Sequence, residues 1–309
     1  PCLILLFYKT NGIMYTIIGA GGNMDKQLTI EAPAKINLSL DIAGKRSDGY
    51  HEMRMINHSC TLADRITLVP GGPYSLDCAD ARLAADESNL VTRAVRLMEE
   101  QSGQTADFRL TLEKRIPEQA GLAGGSADAA AVIRLLNEYW RLGLSVEELA
   151  SLGVRLGADV PYCVTGGTAL VEGIGEQITR LEVPEGFPGS LIIVKPDVSV
   201  PTPRAFALAD QSELEHPDID GLVETLSHGA CERLAEFGGN SFYTVVSGLY
   251  PEIGRIRQEL LELGADYAVM SGSGSSLVGY FSDEDTRDRV WKQLTGLYGS
   301  YTIIRTEYR

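Results

Sequence analysis

Residues 116–131, IPEQAGLAGGSADAAA, combine three glycines and a serine with an alanine run of helical spacing. Glycines let a backbone approach a phosphate closely, and the unpaired amides of a first helical turn stabilise an anion. The segment therefore predicts a phosphate-binding loop that leads into a helix near Ser126. A glycine-lined turn that packs a helix against a sheet would have the same composition, and the Gly-Lys-Ser/Thr ending of the common phosphate loop is missing.

Two charged residues elsewhere could take part in chemistry at such a loop. Lys35 lies in APAKINLSL (32–40), on the polar side of an alternating segment, as either a solvated charge or a site cation. Asp159 lies in LGADVP (156–161), where it either caps a turn or accepts the proton of an attacking hydroxyl. Neither residue alone distinguishes between these roles.

Two further loops carry groups that could bind a ligand. SDGYHE (47–52) offers the ring of Tyr50 and the imidazole of His51, although a polar hairpin tip explains both. MSGSGSS (270–276) contains a second cluster of small residues, which is either a nest of backbone amides or a hairpin turn. Its candidate residues are Gly272, Ser273 and Gly274.

The elements that must position these groups follow from hydrophobic periodicity. Residues 36–42 alternate between apolar and polar positions, which predicts a half-buried strand. The Ser145-Glu148 pair predicts a capping box at a helix start. Further strands are predicted over 53–60, 65–69, 74–78, 109–114, 190–196, 267–270, 276–281 and 301–306, with a hairpin over 166–176. Helices are predicted over 88–101, 203–209, 218–228, 251–263 and 284–297.

This mixture predicts an α+β fold, and 309 residues exceed what one hydrophobic core usually serves. A proline- and glycine-rich stretch near 183–188 places the boundary, so we expect domains at 25–183 and 184–309. Residues 1–24 are expected to be an N-terminal extension, either disordered or upstream sequence included in error, with translation starting at Met14 or Met24. Its apolar run, LILLF, is too short for a membrane-spanning helix.

Charge and cysteine usage exclude several classes of function. The formal net charge of −15 argues against sequence-independent nucleic-acid binding, which needs a basic surface. Any anionic substrate must therefore be met by local cations and backbone amides. The five cysteines form no CxxC pair, which is typical of reduced thiols in a cytoplasmic protein without a structural zinc site. No membrane partner is expected, and oligomeric state is left open.

The motifs are more specific in their order than they are singly. APAKINLSL, SDGYH, PEQAGLAGGSADAAA, LGADVP and MSGSGSS occur in the order and rough spacing of the GHMP kinases, the galactokinase, homoserine, mevalonate and phosphomevalonate kinase superfamily. Within it, the chain resembles the family that phosphorylates 4-diphosphocytidyl-2-C-methyl-D-erythritol. PAKINLSL before GKRSDGYHE, and LGADVP before GGTALVEGIGE, carry that distinction. The resemblance extends from about residue 28 to residue 305.

The resemblance implies a fold and a reaction. The N-terminal domain would be similar to domain 2 of ribosomal protein S5, and the C-terminal domain would be ferredoxin-like. ATP would be the co-substrate, and its γ-phosphoryl group would pass to the 2-hydroxyl of the methylerythritol unit. This step belongs to the non-mevalonate, or methylerythritol phosphate, route to isoprenoid precursors. The enzyme would be a cytoplasmic phosphotransferase with an alcohol acceptor.

The resemblance also implies site residues. Lys35 would stabilise developing charge, Asp159 would be the general base, and Asn37 would hold the substrate. Tyr50 and His51 would engage the cytidine. The ATP phosphates would be held by the loop residues Pro117, Glu118, Gln119, Ala120, Gly121, Leu122, Ala123, Gly124, Gly125 and Ser126.

The metal and the second aromatic of the cytidine site follow less directly. Mg²⁺ would bridge the ATP phosphates, with Ser126 the nearest candidate ligand. Many relatives have two serines where this chain has Ser126 and Ala127. Phe187 is the candidate for a second ring against the cytosine. Another GHMP kinase, acting on homoserine or mevalonate, is the alternative enzyme, and a non-catalytic nucleotide-binding relative is the alternative of a different class.

Overall fold

Two long strands organise the chain. The computed structural model describes residues 3–10, 13–20, 27–78, 85–184 and 187–309, with side chains described from residue 27 onward. Strands β3 (Gln27–Lys45) and β4 (His51–Pro70) each pass through both of two compact units. The first unit is Pro1–Ala34, Leu62–Ile116 and Gly124–Thr165, and the second is Lys35–Thr61, Pro117–Ala123 and Gly166–Arg309. The predicted domain boundary after residue 183 stays a prediction.

The first unit contains a sheet built around parts of these two strands. Its other strands are β1 (Leu3–Thr10), β2 (Ile13–Ala20), β5 (Ser75–Cys78) and β6 (Phe108–Glu113). The strand order is β1-β2-β3-β4-β6-β5, and β5 runs parallel to β6. The hydroxyl groups of Thr29 and Thr67 form a hydrogen bond of 3.1 Å from β3 to β4.

The described residues of the first unit form four helices, one of which begins at a predicted cap. They are α1 (Leu90–Ser102), α2 (Gly124–Tyr139), α3 (Val146–Gly153) and α4 (Val160–Thr165). Asn89 caps α1, and the predicted capping box of Ser145 and Glu148 begins α3. Helix α2 is buried at every position from 127 to 136, so it is the central helix of this unit's core.

The N-terminal extension is partly described. In the extension, which was expected to be either disordered or upstream sequence included in error, β1 and β2 pair antiparallel, and residues 15–18 of β2 pair with residues 27–30 of β3. Residues 1–2, 11–12 and 21–24 of that prediction lie outside the described residues. The translation start at Met14 or Met24 stays a prediction.

The second unit contains a hairpin and a separate four-stranded sheet. Strand β7 (Thr168–Gly173) pairs with residues 53–58 of β4 and with β8 (Gln177–Arg180). The separate sheet has the antiparallel order β10-β11-β9-β12. Its strands are β9 (Ser190–Lys195), β10 (Tyr267–Met270), β11 (Leu277–Phe281) and β12 (Thr302–Glu307).

Helices are frequent in the second unit. They are α5 (Thr202–Ala209), α6 (Ile219–His228), α7 (Leu234–Phe237), α8 (Tyr243–Leu249), α9 (Pro251–Glu262) and α10 (Glu284–Leu297), with a 3₁₀ turn at Cys231–Arg233. Helices α9 and α10 pack on the separate sheet through one face each, with Ile253, Ile256, Leu260, Val290 and Leu294 buried. The predicted α+β class is confirmed.

The structure differs from the predicted elements at two places near the candidate site. Strand β4 is continuous where two strands were predicted over 53–60 and 65–69. Helix α4, which contains Pro161, was not predicted. A proline in the first turn of a helix removes no intrahelical hydrogen bond, so Pro161 is compatible with this helix start.

The polar face of β3 is buried, which overturns the expectation of a half-buried strand. Asn37 and Ser39 are fully buried, and Asp41 is 9 % exposed. Residues 239–241 cover this face: Ser39 bonds to the backbone of Gly239, and the Asp41 carboxylate accepts from the hydroxyl of Ser241 at 2.9 Å. The polar residues of this alternating pattern therefore face hydrogen-bonding partners within the protein and not solvent, since buried polar groups need partners.

The described part of the chain can be searched for disulfides and for helices that could span a membrane. Cys60, Cys78, Cys163 and Cys231 form no disulfide there, and Cys2 lies outside the described residues. Across the same residues, none of the helices combines the length and the apolar character that crossing a bilayer would demand.

A close backbone contact in the second unit joins residues far apart in sequence. Gly121 has a φ of +73°, and a Cβ added there would lie 2.0 Å from the carbonyl oxygen of Ser271. A Cβ added at Gly272 would lie 3.1 Å from the Cα of Gly121. The chain at residues 117–123 and the turn between β10 and β11 therefore touch through backbone atoms.

Replacing Gly121 tests this contact. In Gly121→Ala, a left-handed residue with a Cβ and a clash with Ser271 should together lower the free energy of unfolding by at least about 3 kcal/mol. Gly143→Ala is the matched control, because Gly143 has a φ of +71° with no atom within 4 Å of the added Cβ. It should lose only about 1 kcal/mol. Urea unfolding of both variants measures the difference, and equal losses would contradict the close approach.

Candidate active site

Lys35 and Asn37 lie together on the buried polar face of β3. Lys35 is only 4 % exposed, and its Nζ donates a hydrogen bond to Asn37 Oδ1 at 3.1 Å. The backbone N–H of Lys35 donates to the carbonyl oxygen of Leu122 at 3.2 Å. The strand therefore holds an ammonium group beside the predicted phosphate-binding loop.

Asn37 also connects the strand to the turn between β10 and β11. Its Oδ1 accepts a second hydrogen bond, from the backbone N–H of Gly272 at 2.7 Å. The hydroxyl of Ser271 donates to the Gly121 carbonyl oxygen at 2.9 Å and accepts from the Asn37 backbone N–H at 3.2 Å. Strand, loop and turn are thus one hydrogen-bonded arrangement within the second unit.

The loop has a backbone conformation suited to anions. Gln119, Gly121 and Ala123 have φ values of 50°, 73° and 53°, so left-handed residues alternate along it. Left-handed residues in such a loop can turn successive N–H groups toward one side, as in anion-binding backbone concavities. Sequence analysis missed this geometry because glutamine and alanine rarely adopt a positive φ.

Asn57 belongs to the same hydrogen-bonded arrangement and was not singled out from the sequence. It lies on β4, is 0 % exposed, and its Oδ1 accepts from Asn37 Nδ2 at 2.6 Å. Its sequence signal was an amide between Ile56 and His58 in an otherwise buried strand. A buried asparagine is unusual in a core, and its polar atoms need hydrogen-bond partners there.

Tyr50 and His51 stand at the start of β4 with different surroundings. Tyr50 is 59 % exposed, whereas the His51 side chain is only 10 % exposed. The His51 ring stacks on Phe206 of α5 with centroids 4.5 Å apart. Its Nε2 bonds to the Asp210 carboxylate at 2.7 Å. Helix α5 and the residue after it therefore hold this imidazole by its face and by its edge.

Asp210 is held in turn by a second cation. Lys45 Nζ forms an ion pair with the same carboxylate at 2.5 Å. Hydrogen bonds from Lys45 and His51 hold the pKa of Asp210 below its usual value. A cavity of about 480 Å³ opens beside this group, and its wall includes Lys45, His51, Asp210 and His216. This size and the mixed polar lining suit a nucleoside-sized ligand.

Phe187, the predicted second aromatic, packs elsewhere in the second unit. Its ring lies against His58, Tyr280 and Tyr308, with centroids 5.1 to 6.0 Å apart. Phe206 is the ring that the structure places on His51. The missed signal was the phenylalanine of VPTPRAF, one turn into a helix that begins after Pro201.

In the first unit, a buried charge cluster supports the start of α2. The Lys114 ammonium contacts the carboxylates of Asp64 and Asp128, the latter at 2.7 Å. Asp64 also accepts from the backbone N–H groups of Arg115 and Ile116. A Cβ added at Gly124 would lie 3.3 Å from Lys114 Nζ, so the ammonium is close to the helix N-terminus.

Ionisation of this cluster is shifted by burial. Burial, reinforced by Asp64 and opposed by Lys114, raises the pKa of Asp128 to about 8. Burial lowers the pKa of Lys114, but the two carboxylates outweigh that effect and leave its pKa above the usual value. One oxygen of Asp128, Oδ1, has no hydrogen-bond partner among the described residues. A proton on Asp128 therefore relieves the cost of burying its charge.

Asp159 lies in the first unit, immediately before α4. It is half-buried, and its carbonyl oxygen accepts from the backbone N–H of Cys163 at 3.1 Å. Lys35 belongs to the other unit. Ser126 lies half-buried in the first turn of α2, which has no acidic side chain. No group of three or more histidine, cysteine or carboxylate side chains among the described residues could hold a metal ion.

The raised pKa of Asp128 predicts a pH-dependent stability. Between about pH 4 and pH 8 the folded state binds more protons at this group than the unfolded state, so rising pH lowers the free energy of unfolding. Asp128→Asn removes that dependence. Its free energy of unfolding relative to wild type should therefore increase from pH 6 to pH 9, as measured by urea unfolding.

A control separates this effect from a general response to pH. Asp77→Asn changes an exposed carboxylate on β5 and should give a constant difference from wild type. A difference for Asp128→Asn that stays constant or shrinks as pH rises would contradict a buried carboxyl group with a raised pKa.

Comparisons with known proteins agree with these motifs. Residues 89–167 match the GHMP kinases N terminal domain, and residues 222–299 match the GHMP kinases C terminal domain. The solved structure of a 4-(cytidine 5'-diphospho)-2C-methyl-D-erythritol kinase matches with a TM-score of 0.76 at 31 % identity, covering 91 % of this chain and 98 % of that one. Homoserine kinase from Cytophaga hutchinsonii, at 19 % identity and a TM-score of 0.73 over 94 % of this chain and 97 % of that one, shares the fold.

Curated relatives give a more specific result. A 4-diphosphocytidyl-2-C-methyl-D-erythritol kinase of Bacillus cereus is 38 % identical over 281 residues, which are 90 % of this chain and 96 % of the relative. The enzyme of the same name from a Geobacillus strain is equally similar, with the same identity and coverage. The chain therefore belongs to the 4-diphosphocytidyl-2-C-methyl-D-erythritol kinase family of the GHMP kinases.

Proposed function

We propose that this kinase transfers the γ-phosphoryl group of ATP to the 2-hydroxyl of 4-diphosphocytidyl-2-C-methyl-D-erythritol. The observation that carries the proposal is the arrangement of Lys35, Asn37 and the loop of residues 117–123, in a chain of this family. The bond between the γ-phosphorus and the β,γ-bridging oxygen breaks, and a bond to the substrate oxygen forms. ADP leaves, and the step supplies the non-mevalonate route to isoprenoid precursors.

The two candidate catalytic residues have different roles in the transfer. Asp159 takes the proton of the attacking hydroxyl, which a half-buried carboxylate at a helix start can do. Lys35 stabilises the negative charge that develops on the transferred group, and burial makes this interaction stronger than it would be in water. Asn37 positions the acceptor beside the ammonium.

Binding of ATP rests on backbone groups. The alternating left-handed residues of the loop at 117–123 direct N–H groups to the phosphates, and the first turn of α2 from Gly124 to Ser126 adds the positive end of the helix. Mg²⁺ suits this site as a partner of the nucleotide, because the hydroxyl oxygen of Ser126 is a hard ligand. Bound there, the metal ion would neutralise charge on the phosphates.

Recognition of the cytidine is assigned to the group around His51. Tyr50 supplies an exposed ring, and Phe206 supplies the second ring in place of Phe187. His51 and the cavity beside it offer hydrogen-bonding groups to the base. We also propose a cytoplasmic location, which the thiol state of the described cysteines supports.

One assay separates this function from its alternatives. ATP consumption is measured with the cytidyl alcohol, with homoserine and with mevalonate, each as sole acceptor. Turnover of the cytidyl alcohol alone supports the proposal. Turnover of another acceptor would assign a different GHMP kinase activity, and no turnover at all, with ATP still bound, would indicate a non-catalytic relative.

Removal of the general base should separate chemistry from binding. We expect Asp159→Ala to lower kcat by at least about a hundredfold and to leave the Kd for ATP within about threefold of wild type. Asp159→Asn keeps the side-chain size and should be as slow, because an amide cannot accept the proton. Steady-state kinetics and calorimetry measure both effects, and near-normal kcat in either variant would remove Asp159 from this role.

Phe206 should affect one substrate only. Phe206→Leu removes the ring on His51, so the KM for the cytidyl alcohol is expected to rise by about tenfold, while the KM for ATP stays unchanged. Phe187→Leu is the matched control, because its ring packs on His58, Tyr280 and Tyr308. It should lower the melting temperature without changing either KM. A higher cytidyl KM in the control alone would return the role to Phe187.

A further inference from the structure

We propose that Asn57 is a positioning residue for phosphoryl transfer, which sets the orientation of the Asn37 amide and through it the position of the Lys35 ammonium. The inference rests on the proposed function, because it gives Lys35 a part in the reaction. Asn57 lies on β4, Asn37 and Lys35 lie on β3, and all three belong to the second unit.

The Asn37 amide has one orientation that satisfies its neighbours. Its Oδ1 accepts from Lys35 Nζ at 3.1 Å and from the Gly272 N–H at 2.7 Å. An amide nitrogen in that place would face two donors and form neither bond. The opposite end, Nδ2, must therefore point to an acceptor, and Asn57 Oδ1 stands there at 2.6 Å.

Asn57 has no comparable role in stabilising the fold. Asn57 is fully buried, and its Nδ2 has no hydrogen-bond partner among the described residues. A buried donor without a partner costs about 1–3 kcal/mol, which a single hydrogen bond of about 1 kcal/mol does not offset. What Asn57 supplies is an acceptor at a defined point.

Loss of that acceptor has a predictable consequence. Without it, Asn37 Nδ2 is buried and unpaired, and the amide gains by rotating toward any remaining acceptor. Rotation removes Oδ1 from Lys35 and from Gly272 together. The ammonium then loses its hydrogen bond to Asn37 on β3, and displacement of a catalytic group by about 1 Å can slow a reaction a hundredfold.

Two variants of Asn57 test the proposal by kinetics. Asn57→Leu removes the acceptor at similar volume, and kcat for the cytidyl alcohol is expected to fall by about tenfold to a hundredfold, with the KM for ATP within about twofold. Asn57→Asp keeps an acceptor for Asn37 Nδ2 and should restore kcat to within about threefold of wild type. If Asn57→Leu does not fold, the proposal stands or falls on whether Asn57→Asp retains kcat.

A matched control identifies a merely structural effect. Thr168→Val removes the buried hydrogen bond of 2.7 Å between the Thr168 hydroxyl and His58 Nδ1, on the residue next to Asn57. It should lower the melting temperature while leaving kcat unchanged. An equal fall of kcat in the control, or an unchanged kcat in Asn57→Leu, would overturn the proposal.

Crystal structures of wild type and Asn57→Leu make the test independent of the substrate. The proposal expects the Asn37 amide rotated and Lys35 Nζ displaced by about 1 Å or more; unchanged positions of both would overturn it. If wild type fails with the cytidyl alcohol, the proposed function fails, and the same kinetic comparison is made with whichever of homoserine or mevalonate is turned over. If none is, the two crystal structures decide.

Discussion

A buried amide must satisfy both of its ends, and at Asn37 this requirement couples three separate parts of the chain. Its oxygen is shared by an ammonium on the same strand and a backbone N–H from the turn between β10 and β11, and its nitrogen is taken by a neighbouring strand. In a low dielectric such bonds are strong and an unmade one is costly. The position of the candidate catalytic lysine is therefore determined by packing and hydrogen bonding across the second unit.

Locally held N–H groups and cations also explain how an acidic chain can bind polyanionic substrates. With a net charge of −15, the protein repels ATP at long range, so attraction must arise locally. Backbone N–H groups of the loop and of the first turn of α2 carry no net charge and need no compensation. Lys35, Lys45 and Lys114 are each held by amide or carboxylate groups, which keep the cations in place.

Much of this arrangement was predictable from the sequence, and the reasons for the remainder are physical. The strand carrying Lys35, the capping box at Ser145 and the glycine loop were visible, because periodicity and caps are local signals. The positive φ of Ala123 was not, because alanine rarely adopts such an angle. Asn57 and Phe206 were missed for a related reason, because each makes its contact with a residue distant in sequence. The partner of Asn57 is about 20 residues away and that of Phe206 more than 100 residues away, so no local sequence pattern indicates either contact.

The contact between Gly121 and Ser271 spans about half of the chain, which has a consequence for the order of assembly. A growing chain that has just completed the loop still lacks the turn on which that loop rests, and must add some 150 further residues before the contact can form. Contacts of such separation form late, because the entropy of closing the intervening chain is lost before they stabilise anything. Nucleotide binding should accordingly be among the last properties that a newly synthesised molecule acquires.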